Sequence, residues 1–205
     1  MAERDHQVIL GIDPGTQLLG YGVISVDAKG PHYETMGVFD LRKITDPYEK
    51  LANINAGVEE LVAVWHPDVL AIESPFYGKN AQVILKLGRA QGAAMIAATR
   101  QGIPVVEYAP RKAKTAICGN GAASKEQVST ILQKTLKVEL EPRHLDATDA
   151  LAIALCHYYE SSSPVPAAGG KKSGKARSSS WELFLSENAD RVVSDSGAKK
   201  SRKPL

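Results

Sequence analysis

The sequence has few cysteines, few aromatic residues and no long apolar run. Cys118 and Cys156 are far apart and in no paired spacing, which disfavours a thiolate metal site and favours buried thiols in a reducing compartment. No apolar run approaches the roughly 20 residues that a membrane span needs. The charged and polar first residues predict no secretory signal. We therefore expect a cytoplasmic protein without a membrane partner.

Charge is divided unevenly along the 205 residues. Residues 1–160 hold 16 basic and 19 acidic side chains, whereas residues 161–205 hold nine and four. The segment 79–137, here called the basic sector, contains ten basic residues and two acidic ones. A basic sector between acidic flanks is typical of an enzyme that binds a polyanion. Solvated helix faces also collect lysines, so charge alone leaves nucleic-acid binding open.

Composition divides the chain into two predicted parts. Residues 1–160 are enough for one well-buried domain. Residues 161–205 are rich in Ser, Pro, Gly, Ala and Lys, which predicts a disordered, basic C-terminal tail. Residues 181–185 form an apolar island in this tail, and either a docking turn or an incidental cluster explains it.

The order of apolar patterns in the first part predicts an α/β fold. Runs at 8–12, 20–26 and 32–39 predict a three-stranded antiparallel meander. A helix follows, with Asp46 as N-cap and Pro47 at its first position, and its apolar stripe from Tyr48 to Trp65 predicts core packing. Further strands are predicted at 68–73 and 103–108, and further helices at 80–100, 110–117, after Ser124 and at 145–159. Small residues in the helix at 80–100 allow close approach of either the sheet or a second subunit.

Two predicted strands end in a carboxylate. Asp13 ends the first strand, and Glu73 ends the strand at 68–73. A right-handed helical crossover before the second strand makes the two parallel and adjacent. Their carboxyl ends then meet at one edge of the sheet, where ligand sites of open α/β sheets lie. For Asp13 alone, a local turn with Pro14 and Gly15 is the competing interpretation.

A second pair of carboxylates opens the last predicted helix. Asp146 and Asp149 are three residues apart, so they share one face of its first turn. Placement of acids at the positive end of the helix dipole also explains this pair. Four carboxylates at one point repel one another by several kcal/mol unless a cation lies between them. Such hard oxygen ligands suit Mg²⁺ or Mn²⁺, and two ions about 4 Å apart would activate water for phosphodiester cleavage.

Five motifs, in this order and spacing, resemble the RuvC family of Holliday-junction resolvases. They lie at 11–16 with 20–22, at 71–76, at 79–81, at 85–92 and at 146–152. The resemblance implies a ribonuclease-H-like fold, a mixed five-stranded sheet flanked by helices, in a homodimeric enzyme of DNA recombination and repair. It also implies Mg²⁺-dependent symmetric nicking of four-way DNA junctions, which leaves ligatable 5′-phosphate ends. The RuvA–RuvB branch-migration complex is the partner that it implies.

The resemblance also implies roles for single residues. Asp13, Glu73, Asp146 and Asp149 match the family's metal-binding acids. Two further sets of residues follow from the matched motifs and the basic sector. The first set, close to the scissile phosphate, is Lys114 and Lys125. The second set, which would bind the DNA elsewhere, is Phe76, Lys79, Arg89, Arg111 and Lys112. Phe76 matches an aromatic residue that contacts unpaired bases, for which base–aromatic stacking is a physical basis. A core phenylalanine and plain solvated lysines are the competing interpretations.

Three other functions are compatible with parts of the pattern. Phosphotransferases of the actin and sugar-kinase type open with a similar Asp-x-Gly-Thr hairpin, but they need a second domain and an adenosine motif. RuvC-like nucleases that trim ribosomal RNA precursors share the opening motif but not the stretch around Phe76. A binding module with a dead site is disfavoured, because every acid of the family pattern is present.

Overall fold

The computed structural model describes residues 6–75, 80–140 and 145–162. The strands are β1 Gln7–Asp13, β2 Leu18–Asp27, β3 Gly30–Asp40, β4 Val69–Glu73 and β5 Val105–Tyr108. The helices are α1 Pro47–Trp65, α2 Ala81–Thr99, α3 Pro110–Cys118, α4 Lys125–Leu136 and α5 Leu145–Ser162. The predicted α/β fold is confirmed. Most of the predicted tail, including its apolar island, lies outside the described residues.

The five strands form one mixed sheet in the order β3-β2-β1-β4-β5. β1, β2 and β3 are antiparallel neighbours, which confirms the predicted meander. β4 is parallel to β1, with Ile12 beside Ile72, and β5 is parallel to β4. The crossover through α1 therefore brings the carboxyl ends of β1 and β4 to one edge of the sheet, as predicted.

Helices cover both faces of this sheet. Alternate residues of a strand point to opposite faces, and each face has its own core. Val8, Leu10 and Ile12 pack with α1 and α2, whereas Ile9 packs with α3, α4 and α5. By the same alternation, Asp13 at the end of β1 belongs to the face that α5 covers.

Local signals fix where two helices begin. The Asp46 side chain accepts hydrogen bonds from the backbone N–H groups of Tyr48 and Glu49 at the start of α1. Ser124 forms a complete capping box with Gln127 at the start of α4. Capping of this kind satisfies N–H groups that have no partner within the helix.

One predicted core residue is exposed. Tyr48 belongs to the apolar stripe of α1 by spacing, but 71% of its surface is accessible. It lies in the first turn of α1 and lines a cavity between α1 and α2. Among the described helices, none is long and apolar enough to cross a membrane.

Candidate active site

The candidate site lies at the carboxyl ends of β1 and β4. Because Ile12 pairs with Ile72, the next residues along these parallel strands are Asp13 and Glu73. Val69 and Ala71 of β4 face α5, so Glu73, two residues further, falls on the same face as Asp13. Both side chains are partly buried.

Glycines in β1 and β2 seat α5 against the sheet. A β-carbon on Gly11 would lie 2.1 Å from the carbonyl oxygen of Ala150, and one on Gly20 would lie 2.1 Å from that of Asp146. A β-carbon on Gly22 would also approach the helix backbone to 2.8 Å. Real contacts are never this short, so only glycine allows the helix to lie so close. This glycine seat places the first turn of α5 directly beside Asp13.

Three carboxylates meet at this point. Asp13, Asp146 and Asp149 each offer an oxygen, and these oxygens all lie within 4.8 Å of one another. Each of the three side chains is partly buried. Glu73 lies outside this trio but lines the same cavity of about 270 Å³ together with Asp13 and Asp149. The structure thus brings all four predicted acids to one edge of the sheet, and oxygens of three of them lie within 4.8 Å of one another.

Asp13 and Glu73 hold their protons more tightly than ordinary carboxylic acids. Burial, together with the negative charges of Asp149 and Asp146, raises the pKa of Asp13 to about 7. Burial, together with the charges of Asp13 and Asp149, raises the pKa of Glu73 to about 8. Without a cation these acids cannot all be ionised cheaply at neutral pH. A bound divalent cation removes that cost, which is the electrostatic signature of a metal site.

Two lysines line the same cavity. The Lys125 ammonium donates directly to the Asp149 carboxylate, and its charge lowers the pKa values of Asp13 and Glu73. Lys114, on α3, also lines the cavity and acts in the same direction on Glu73. Both predicted lysines are therefore placed beside the carboxylates rather than on a distant helix face.

The remaining predicted DNA contacts are dispersed. Lys112 forms an ion pair of 2.6 Å with Glu160 and lies 5.4 Å from the centre of the Tyr108 ring, so internal contacts hold it. Arg111 is exposed on α3, whereas Arg89 is exposed on α2, on the other side of the sheet. The predicted residues Phe76 and Lys79 lie outside the described residues.

Sequence reasoning missed Gln91. This side chain is 93% buried in α2, and its amide donates to Glu107 Oε2 at 2.8 Å and to the Glu73 carbonyl oxygen at 3.4 Å. It therefore ties α2 to the strand end that carries Glu73. A polar residue on the apolar, inward face of a predicted helix is the signal that could have identified it.

Comparisons with known proteins agree with this geometry. Residues 9–157 match the family model described as crossover junction endodeoxyribonuclease RuvC. The chain belongs to the RuvC family. It is 48% identical to the RuvC of Bacteroides fragilis and 45% identical to that of Christiangramia forsetii. These alignments cover 91% and 92% of this chain, and 96% and 94% of the two relatives.

Solved structures of RuvC proteins share the fold. The structure of Thermus thermophilus RuvC in complex with a Holliday junction substrate has a TM-score of 0.70 and 34% identity, over 76% of this chain and 94% of that one. RuvC membership sets aside the kinase and ribosomal-RNA nuclease alternatives. It also confirms the mixed five-stranded, ribonuclease-H-like fold that the motifs implied.

Proposed function

We propose that this protein is a metal-dependent endonuclease that resolves Holliday junctions during homologous recombination and DNA repair. One observation carries the proposal: three carboxylate oxygens from β1 and α5 lie within 4.8 Å of one another in a RuvC chain. Paired nicks in opposed strands would leave 5′-phosphate ends that a ligase can seal. The junction complex of the Thermus relative supports the choice of substrate.

The donor set fits Mg²⁺, and Mn²⁺ could substitute for it. All four acids offer hard carboxylate oxygens, which these cations prefer. Burial, together with the charges of neighbouring carboxylates, raises the pKa values of Asp13 and Glu73, and a divalent cation would relieve this cost of ionisation. Asp13, Asp146 and Asp149 would hold one ion, and Glu73, which lines the same cavity, would complete the ligands of a second. When bound, the metal would supply Lewis acidity and a nucleophilic water for attack on phosphorus.

The chain's own residues account for positioning and charge. The two strand ends and α5 fix the carboxylates before DNA arrives, so little reorganisation is needed. Lys114 and Lys125 line the cavity and would offset the negative charge that builds on the phosphate oxygens. Because Lys125 pairs with Asp149 in the free protein, it would exchange that partner for the phosphate. Four further residues would contact the junction: Phe76, Lys79, Arg89 and Arg111. Phe76 would stack on unpaired bases. Lys112 is the weakest of the proposed contacts, because it already forms an ion pair within the protein.

A homodimer would explain paired cuts, because a two-fold dimer matches a pseudo-two-fold junction. The outer face of α2 supports it. Leu85 and Ile96 are exposed there, and among the described residues no atom outside the local helix backbone lies within 4 Å of a β-carbon built on Gly88 or Gly92. These four residues share one helix face by their spacing, and they leave room for a second backbone. Light scattering of the purified protein would give the mass of the assembly.

Two further proposals concern the surroundings of the enzyme. A cytoplasmic location and cooperation with RuvA–RuvB follow from the family. The division into a nuclease domain at 1–160 and a basic tail at 161–205 rests on composition, and α5 ends two residues past that boundary. Deletion of the tail should leave cleavage of a free junction intact if the division is right.

A junction-cleavage assay tests the main proposal. Asp13→Asn and Glu73→Gln are assayed on a synthetic four-way junction with Mg²⁺, beside Glu60→Gln, which neutralises an exposed acid of α1 on the other side of the sheet. We expect both site variants to bind the junction but not to cut it, and the control to cut normally. Cleavage retained in either site variant would refute the metal-site assignment.

A further inference from the structure

A second cavity lies at the same sheet edge but on the opposite face. It has a volume of about 290 Å³ and lies between the first turns of α1, the N-terminal half of α2 and the β1–β2 turn. Among the described residues that line it, Lys50, Lys86 and Arg89 are cationic and none is acidic. We call it the basic cleft. The carboxylate site uses none of these three cations.

The charges of the basic cleft are not neutralised within the described part of the chain. Lys86 and Arg89 are exposed and three residues apart on α2, and none of the described salt bridges includes either. Like charges at this spacing slightly destabilise a helix. The Lys50 ammonium donates to the Thr16 carbonyl oxygen at 3.0 Å, which holds the ammonium at the cleft without cancelling its charge. Three cations around one concave surface favour an anionic ligand.

The cleft is close to the carboxylates along the chain. β3 runs in the same direction as β1, so the chain leaves it at the carboxylate edge and α1 begins there. Thr16, in the wall of the cleft, follows Asp13 by three residues, a span of at most about 10 Å. One DNA strand carries a phosphate for each 3.4 Å or so of helix axis. A strand with its scissile phosphate at the carboxylates would therefore present another phosphate to the cleft.

Tyr48 adds an aromatic surface to the same cavity. It is 71% exposed, although its neighbours along the α1 stripe are core residues. Exposed aromatic rings beside cations are typical of nucleic-acid surfaces, where rings stack on bases or sugars. This combination favours a polynucleotide over a small inorganic anion.

We propose that the basic cleft holds a backbone phosphate of the strand being cut, about two to four nucleotides from the scissile phosphate. Lys86 and Arg89 are the contacts, and Lys50 also fixes the turn that follows Asp13. The proposal rests on the proposed function, because it takes a junction strand as the ligand. It adds a DNA-binding site on the face of the sheet opposite the carboxylates.

The double variant Lys86→Gln/Arg89→Gln tests the proposal. Lys50 is left intact, because its bond to Thr16 supports the loop beside Asp13. The matched control is Lys29→Gln/Lys134→Gln, which removes the same charge from exposed positions in the β2–β3 turn and on α4. Binding to a four-way junction is measured in EDTA over a range of salt concentrations. A junction set with one neutral methylphosphonate at each position near the cut locates the contact.

We expect the double variant to make the slope of log binding constant against log salt concentration shallower by about one to two. It should also weaken junction binding about tenfold or more at 0.1 M salt. The control should keep the wild-type slope. Methylphosphonate at one position two to four nucleotides from the cut should weaken the wild type and leave the double variant unaffected. Equal salt slopes for the Lys86/Arg89 variant and the control variant would overturn the proposal. A wild type whose binding is weakened equally by a methylphosphonate at every position would also overturn it. A wild-type protein that binds junctions but cuts none would instead overturn the proposed function.

Discussion

Replacement of Asp13 by asparagine should stabilise the metal-free protein at pH 8 while it abolishes cleavage. The pKa of this carboxyl is raised from 3.8 to about 7 by burial and by the charges of Asp149 and Asp146. Each unit of pKa difference between folded and unfolded states corresponds to about 1.4 kcal/mol. At pH 8 the ionised carboxylate therefore costs the folded state up to about 4 kcal/mol.

The sign of the pH dependence follows from the direction of this shift. A carboxyl with a raised pKa in the fold binds its proton more tightly when folded, so metal-free stability is greatest below pH 4 and falls as pH rises towards 7. Asparagine does not ionise, so the variant lacks this loss. Water entry and relaxation around the carboxylates reduce the full value. We expect a gain of about 2–4 kcal/mol at pH 8 and of about 1 kcal/mol at pH 4.5.

Urea unfolding in EDTA at the two pH values measures the effect. Glu60→Gln, an exposed acid of α1, is the control and should change stability by less than about 0.5 kcal/mol. Added Mg²⁺ should then stabilise the wild type, because a ligand that binds only the folded state adds to its stability. An Asp13→Asn protein no more stable than wild type at pH 8 would refute the electrostatic account of the site.

Three further predictions follow from single contacts. Gly20→Ala should destabilise the fold by about 3 kcal/mol or more in thermal unfolding, because its β-carbon would lie 2.1 Å from a carbonyl oxygen of α5; an unchanged melting temperature would contradict the glycine seat. Lys125→Gln should raise the pKa of Glu73 in the metal-free protein, since the Lys125 cation lowers this pKa; an unshifted Glu73 titration, followed by NMR in EDTA, would contradict the placement of Lys125 beside the carboxylates. Gln91→Leu should lower kcat about tenfold or less with little change in KM, because the strand end that carries Glu73 loses its hydrogen bond to α2. Gln91→Glu should recover less than half of the lost kcat.

Much of this architecture was predictable because local signals and chain topology agree. Asp46 and Ser124 specify helix starts through their own side chains, without help from the rest of the fold. The parallel pairing of β1 with β4 follows from the handedness of the crossover, and it brings Asp13 beside Glu73. Asp146 and Asp149 share one face of α5 because any helix places residues three apart on the same side.

The rest depended on distances that no pattern in the sequence contains. Glu73 was expected at one point with the other acids, but it lies outside the trio, although it lines the same cavity as Asp13 and Asp149. The pairing of Lys125 with Asp149 depends on how α4 packs against α5. Tyr48 fits an apolar stripe by spacing, yet its side chain is exposed. Spacing along one helix cannot report where the neighbouring layer ends.

The glycine seat of α5 also determines how the site is lost when the protein unfolds. Ten of the eleven residues of this helix from Ala147 to His157 are buried, and Asp149 is the exception. Backbone amides in such an element exchange with solvent mainly through opening of the whole domain. We therefore expect the turn that carries Asp146 and Asp149 to unfold together with the rest of the domain. On heating, activity should be lost at the unfolding transition and not below it. No intermediate should keep the sheet folded while the arrangement of the carboxylates is lost.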